Sequence, residues 1–161
     1  MRIALAADHA GYVLKDELAR WLVEQGHEVI DLGTNGPESV DYPEYGAKLA
    51  RAVASGEAER GIAVCGSGIG ISIAVNREPK CRCARVGDPL SAALAREHND
   101  ANVLAMGGRL IGADMAKACI LAFLGADRVL DHRIDFAEAA GEEAARHAIA
   151  GLLVEVCGGR H

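Results

Sequence analysis

Basic residues are in deficit: 17 Lys and Arg face 23 Asp and Glu, leaving a formal net charge of -6. A general nucleic-acid binder needs a basic face for the phosphates, so the composition argues against that class. Aromatics are sparse too, at 4%, and point the same way. An anionic ligand must then be held locally, by Arg, His and helix N-termini working against the global field. No stretch approaches the ~20 apolar residues of a membrane span, and MRIALAADHAG lacks the basic start and long apolar run of a signal peptide. The expectation is a soluble, cytoplasmic protein with no membrane partner. Paired cysteine spacings are missing as well. The five cysteines (Cys65, Cys81, Cys83, Cys119, Cys157) are odd in number and scattered through apolar segments, which favours free thiols in a reducing compartment. Cys81 and Cys83 do not have the spacing of a zinc pair, and no second cluster completes a ligand set. Neither metal nor other cofactor is expected. Internal repeats and low-complexity linkers are also lacking.

What is present is a chain of 161 residues, half of them hydrophobic, enough for one good core. Short apolar runs alternate with amphipathic ones. Strands are expected at Arg2 to Ala7, His27 to Leu32, Gly61 to Cys65, Arg82 to Val86 and Asn102 to Met106. Helices are expected at Tyr12 to Glu24, Pro43 to Ala54, Ile69 to Val75, Leu90 to Glu97 and Ala113 to Leu124. Asp88 and Pro89 form an N-cap and N1 pair for the fourth. Strand and helix alternating five times mean parallel strands joined by crossovers. The fold class is therefore α/β: a three-layer α/β/α sandwich, Rossmann-like, with a five-stranded parallel sheet of expected order 2-1-3-4-5. Residues 1–136 form the single domain. Residues 137–161 are expected to be a C-terminal helix and tail, with Ala137, Ala140, Ala144, Ala148, Leu152 and Val156 on one face. A partner subunit is the covering surface favoured for that face; folding back on its own domain stays open.

In such a sheet, ligands bind beyond the carboxyl ends of the strands where the winding reverses, here between strands one and three. Both of those strands end in unusual loops: Asp8-His9-Ala10-Gly11, and Cys65-Gly66-Ser67-Gly68-Ile69-Gly70. The glycine loop is no Walker A, since no Lys-Ser or Lys-Thr follows it, and a dinucleotide fingerprint would follow the first strand. A GxGxG loop opening a helix does gather backbone N–H groups around one point, which suits an anion. Cys65 beside a helix N-terminus stands where thiolate is favoured. A base beside an anion hole is what enolisation requires. A buried, inert structural cysteine near a tight turn is the alternative for Cys65 alone.

"DHAG", "DYP" at Asp41 to Pro43, "CGSGIGISIAVNR" and "SAALAREHNDANVLAMGGRLIG" closely resemble the type B ribose-5-phosphate isomerases and, more loosely, the galactose-6-phosphate isomerase subunits. The resemblance runs from about Met1 to Leu124. It implies a metal-free aldose-ketose isomerase of the pentose phosphate route, working through a cis-enediolate in sites shared between subunits of a homodimer or dimer of dimers. By the same resemblance Cys65 is the base moving a proton between C2 and C1, and Ser67 helps transfer the hydroxyl proton. Gly66, Gly68 and Gly70 offer N–H groups to the enediolate. Family members without this cysteine use a glutamate six residues on, where this chain has Ile71. His98 corresponds to the histidine that opens the furanose ring, Asp8 to a carboxylate near the ring oxygen, and Asn99 to a hydroxyl partner. Tyr42 lines the pocket, and His9 and Arg109 match part of the phosphate grip.

The resemblance fails after Leu124. Where the family carries GGRHxxR with two phosphate-binding arginines, this chain reads "DRVLDHRIDFAEAA". Arg133, or Arg128 in another register, replaces at most one of them. Three functions remain in play. The first interconverts ribose 5-phosphate and ribulose 5-phosphate. The second applies the same chemistry to a four- or six-carbon sugar phosphate of the allose-, galactose- or erythrulose-phosphate type. The third is a sugar-phosphate-binding module without catalysis.

Overall fold

The structure, a computed structural model, describes residues 1–129. The expected C-terminal helix and Arg133 lie outside the described residues. Ten elements alternate along the described residues: β1 (Arg2–Ala7), α1 (Tyr12–Glu24), β2 (Glu28–Asp31), α2 (Tyr42–Ala54), β3 (Arg60–Cys65), α3 (Ile69–Val75), β4 (Cys83–Arg85), α4 (Pro89–Asn99), β5 (Val103–Gly107) and α5 (Ala113–Gly125). Every strand pair is parallel, with Ile3 opposite Arg60 and Gly61 opposite Val103. No helix among the described residues is long and apolar enough to cross a membrane.

The sheet order is β2-β1-β3-β5-β4, not 2-1-3-4-5. The physical reason lies in the strands themselves. β5 (VLAMG) is buried at every residue, whereas β4 (CAR) has three residues and ends in the exposed Arg85. A short strand ending in a charge belongs on an edge, where it deters further pairing. The apolar one takes the interior, beside β3. The reversal of winding between β1 and β3 is unaffected.

Side chains alternate across the sheet at the period of two that strands impose. Ile3, Leu5, Ile62, Val64, Leu104 and Met106 point to one face, where Leu14, Leu18 and Leu22 of α1 and Cys119, Ile120 and Phe123 of α5 cover them. Ala4, Ala6, Ala63, Ala105 and Cys65 point to the other, under Leu49 and Val53 of α2 and Ile71 and Val75 of α3. Large side chains therefore pack on the first face and small ones on the second. Among the described residues two charged side chains are buried, Asp8 and Lys15. Lys15 of α1, fully enclosed, places Nζ 2.6 Å from both Asp31 oxygens and 2.9 Å from Asn35 Oδ1. Asp31 Oδ1 also accepts the Gly33 N–H at 2.9 Å, so this ion pair fastens α1 to the exit of β2. The cap on α4 is as expected: Asp88 Oδ1 accepts the Ser91 N–H at 2.8 Å, with Pro89 beginning the helix.

Candidate active site

Beyond the ends of β1 and β3 lies a hollow of about 420 Å³, bordered by Asp8, His9, Tyr42, Cys65, Ser67, Gly70 and Arg109, with Gly66, Ala10 and Leu110 completing its wall. That volume suits a small metabolite. Seven expected residues thus meet in one place, joined by Gly66, and they come from the exits of β1, β3 and β5 and the start of α2.

Each wall has a local cause. Asp8 Oδ1 accepts N–H groups from Ala10 and Gly11 at 2.9 and 3.1 Å, closing the turn that opens α1. The Val40 N–H and C=O both lie within hydrogen-bond range of His9 Nδ1, at 3.2 and 3.3 Å, which fixes the ring by one nitrogen and leaves Nε2 for a ligand. The loop after β3 is bound across to the exit of β5: Gly108 N–H donates to Cys65 C=O at 2.8 Å, and Arg109 N–H to Gly66 C=O at 3.2 Å. Arg109 then folds over Gly66, where a methyl group would stand 3.4 Å from its Nη1.

Two of the loop glycines answer to packing inside the protein. Gly68 has φ of +78°, and a Cβ there would meet the Met106 carbonyl carbon at 2.9 Å. At Gly70 a methyl group would lie 2.8 Å from Cζ of Tyr42, so the absent side chain is what lets that ring cover the loop. Nor is the Gly68 N–H left for a ligand oxygen: it donates to Cys65 Sγ at 3.1 Å. This N–H is therefore engaged within the loop, on the sulfur.

Cys65 retains 4% of its surface and belongs to the small-residue face of the core, yet it borders the hollow. Burial, with Glu78 nearby, pushes Cys81 up to about 11; burial, with Cys81 nearby, pushes Cys83 up to about 12. Cys119 is raised as well, by burial first and by Asp88 second. These thiols stay protonated at neutral pH.

His98 and Asn99 are not brought to this hollow. They are exposed at the last turn of α4, which starts at the exit of β4 and returns the chain to the entry of β5. Cys65 pairs with Gly107 at the opposite end of that strand, roughly 13 Å along it. A single chain therefore assembles Cys65, Ser67, His9 and Arg109, and leaves His98 at the far edge. Sequence reasoning missed Ala10, Leu110 and the Val40 support of His9. Ala10 stands inside DHAG and Leu110 inside SAALAREHNDANVLAMGGRLIG; nothing local marks Val40.

The model of a family described as Ribose/Galactose Isomerase matches residues 3–152. Ribose-5-phosphate isomerase B of Escherichia coli is 50% identical over 125 residues, covering 78% of this chain and 84% of that protein. The galactose-6-phosphate isomerase subunit LacB of Clostridium acetobutylicum is 40% identical over 126 residues, 78% of this chain and 73% of that one. Among solved structures, ribose-5-phosphate isomerase B of Clostridium thermocellum superposes with a TM-score of 0.86 at 46% identity, over 91% of this chain and 99% of that one. The Mycoplasma genitalium isomerase B with bound ribulose-5-phosphate gives 0.79 at 32% identity, over 83% and 91%. This chain belongs to the ribose/galactose isomerase family.

Proposed function

We propose that the protein interconverts ribose 5-phosphate and ribulose 5-phosphate through a cis-enediolate, with Cys65 as the base. The observation that carries this reading is a sulfur that accepts an N–H inside a hollow also walled by His9 and Arg109. The thiolate removes the proton from C2 of the open-chain aldose, and the electrons of that C–H bond form the enediolate double bond while the charge moves to O1. The thiol, whose hydrogen exchanges with solvent during the life of the enediolate, then protonates C1 to give the ketose. Ser67 Oγ, which accepts the Ile69 N–H at 3.2 Å, keeps its own O–H to relay the hydroxyl proton from O2 to O1. Gly66 and Gly70 line the wall where the developing oxyanion lies, and Arg109 with His9 Nε2 grips the phosphate. Tyr42 closes the hollow over the sugar, and Asp8 meets a ring or hydroxyl oxygen.

Opening the furanose falls to His98, with Asn99 on a sugar hydroxyl, both supplied by a second copy of the chain. Their place at the far edge of their own sheet supports this, because within one chain they cannot reach the sulfur. The active form is then a cytoplasmic homodimer or dimer of dimers with shared sites. Co-refolding equal amounts of Cys65→Ala and His98→Asn tests it. Half the dimers would be hybrids with one intact site of two, so about a quarter of wild-type turnover returns; no recovery rejects the shared site. The LacB relative favours a second reading, the same chemistry on a six-carbon sugar phosphate. A higher kcat/KM on any four- or six-carbon sugar phosphate than on ribose 5-phosphate overturns the first.

A further inference from the structure

Three successive carbonyls after β3 are pinned from neighbouring strands. Cys65 and Gly66 receive backbone N–H groups from Gly108 and Arg109, as described above. Ser67 C=O receives a side chain instead: Arg85 Nε–H donates to it at 3.2 Å from the end of the edge strand β4. Ser67 C=O and Gly68 N–H belong to one peptide unit, which is planar and trans, so its oxygen and its hydrogen point in opposite directions. The hydrogen end of this unit points at Cys65 Sγ. Arg85 thus holds one end of a plank whose other end touches the sulfur. A guanidinium on the oxygen also draws electron density toward it, which polarises the N–H for a negative acceptor.

We propose that Arg85 is a positioning residue for the reaction: through the Ser67–Gly68 peptide it aims and strengthens the N–H that stabilises the Cys65 thiolate. This rests on Cys65 being the base, and it goes beyond that assignment because Arg85 is not among the residues bordering the hollow. Its position is accessible to test, since Arg85 is exposed on a short edge strand and its removal exposes no core.

The experiment compares wild type with Arg85→Met and Arg85→Lys, using iodoacetamide and reading Cys65 alkylation peptide by peptide in a mass spectrometer across pH 6 to 10. Weakening one hydrogen bond to a charged group predicts about a five-fold slower alkylation of Cys65 in the Met variant near neutral pH. The two rates converge at high pH, where the thiol is ionised regardless. The Lys variant recovers at least half of the loss, and kcat of the Met variant falls by a similar factor with KM within about two-fold. Equal alkylation rates at neutral pH overturn the proposal. So does a ratio that stays constant across the whole range, which would mean changed access rather than changed ionisation. The alkylation readout holds whether or not Cys65 is the base; the expected slowing of alkylation in the Met variant with unchanged kcat would fault the catalytic reading instead.

Discussion

Replacing Gly68 with alanine separates two costs that this loop combines. Gly68 and Gly56 share the same φ, +78°, so an L side chain is strained equally at both, by about 1 kcal/mol. They differ in what a Cβ would meet. Around Gly56 nothing lies within 4 Å, whereas at Gly68 the Met106 carbonyl carbon and oxygen and the Gly107 nitrogen stand at 2.9, 3.1 and 3.1 Å. All three are backbone atoms of β5, an interior strand buried along its whole length, so no rotamer change relieves the contact. Overpacking of this kind adds about 1–3 kcal/mol. Gly56→Ala should therefore cost about 1 kcal/mol and Gly68→Ala about 2–4, a melting-temperature difference between the two of roughly 2–12 °C. Urea unfolding at one fixed protein concentration measures both, since a change in oligomer would otherwise enter the midpoint. Equal destabilisation of the two variants would refute the close approach of the glycine loop to β5, and with it the account of why these glycines are there.

Lys15→Met should destabilise by about 2–3 kcal/mol, less than for a fully enclosed pair because water reaches Asp31, and the Lys15→Met, Asp31→Asn double variant should lose less than the two single losses combined. A double-variant cycle with simple additivity would deny the clamp. Cys83 carries a pH prediction. Its folded value is raised from 9.0 to about 12, so the folded state holds the proton longer than the unfolded chain does. The resulting stability is full below pH 9 and is lost as pH climbs from 9 toward 12. Wild type should therefore lose stability over that window more steeply than Cys83→Ala in urea titrations; parallel curves would contradict the burial of that thiol.

The fold was largely legible because its signals are local. The apolar runs of β1, β3 and β5, the amphipathic spacing of α1 and the Asp88-Pro89 start of α4 each follow from a few adjacent residues. Sheet order was not, because the succession of strands along the chain does not reveal that CAR is too short and too polar to sit inside while VLAMG belongs there. The hollow was found from two loops whose glycines and polar residues stand out, Asp8 to Gly11 and Cys65 to Gly70. Their internal bonding was not. Gly68 N–H turns to sulfur through the fold of the loop itself, Tyr42 rests on Gly70 because α2 packs on α3, and Arg85 reaches Ser67 because β4 and β3 flank β5. His98 shows the same limit from the other side: its motif is plain in the sequence, while its place at the far edge depends on which way α4 runs.

Solvent-proton exchange is the most direct test of a sulfur base. With ribose 5-phosphate in deuterium oxide, wild type should introduce deuterium at C1 of the ketose and C2 of the aldose. Cys65→Ala should slow this by at least a hundredfold while remaining folded and still binding the sugar phosphate. Undiminished exchange and turnover in Cys65→Ala would contradict the account, and the base would have to be sought elsewhere in the hollow.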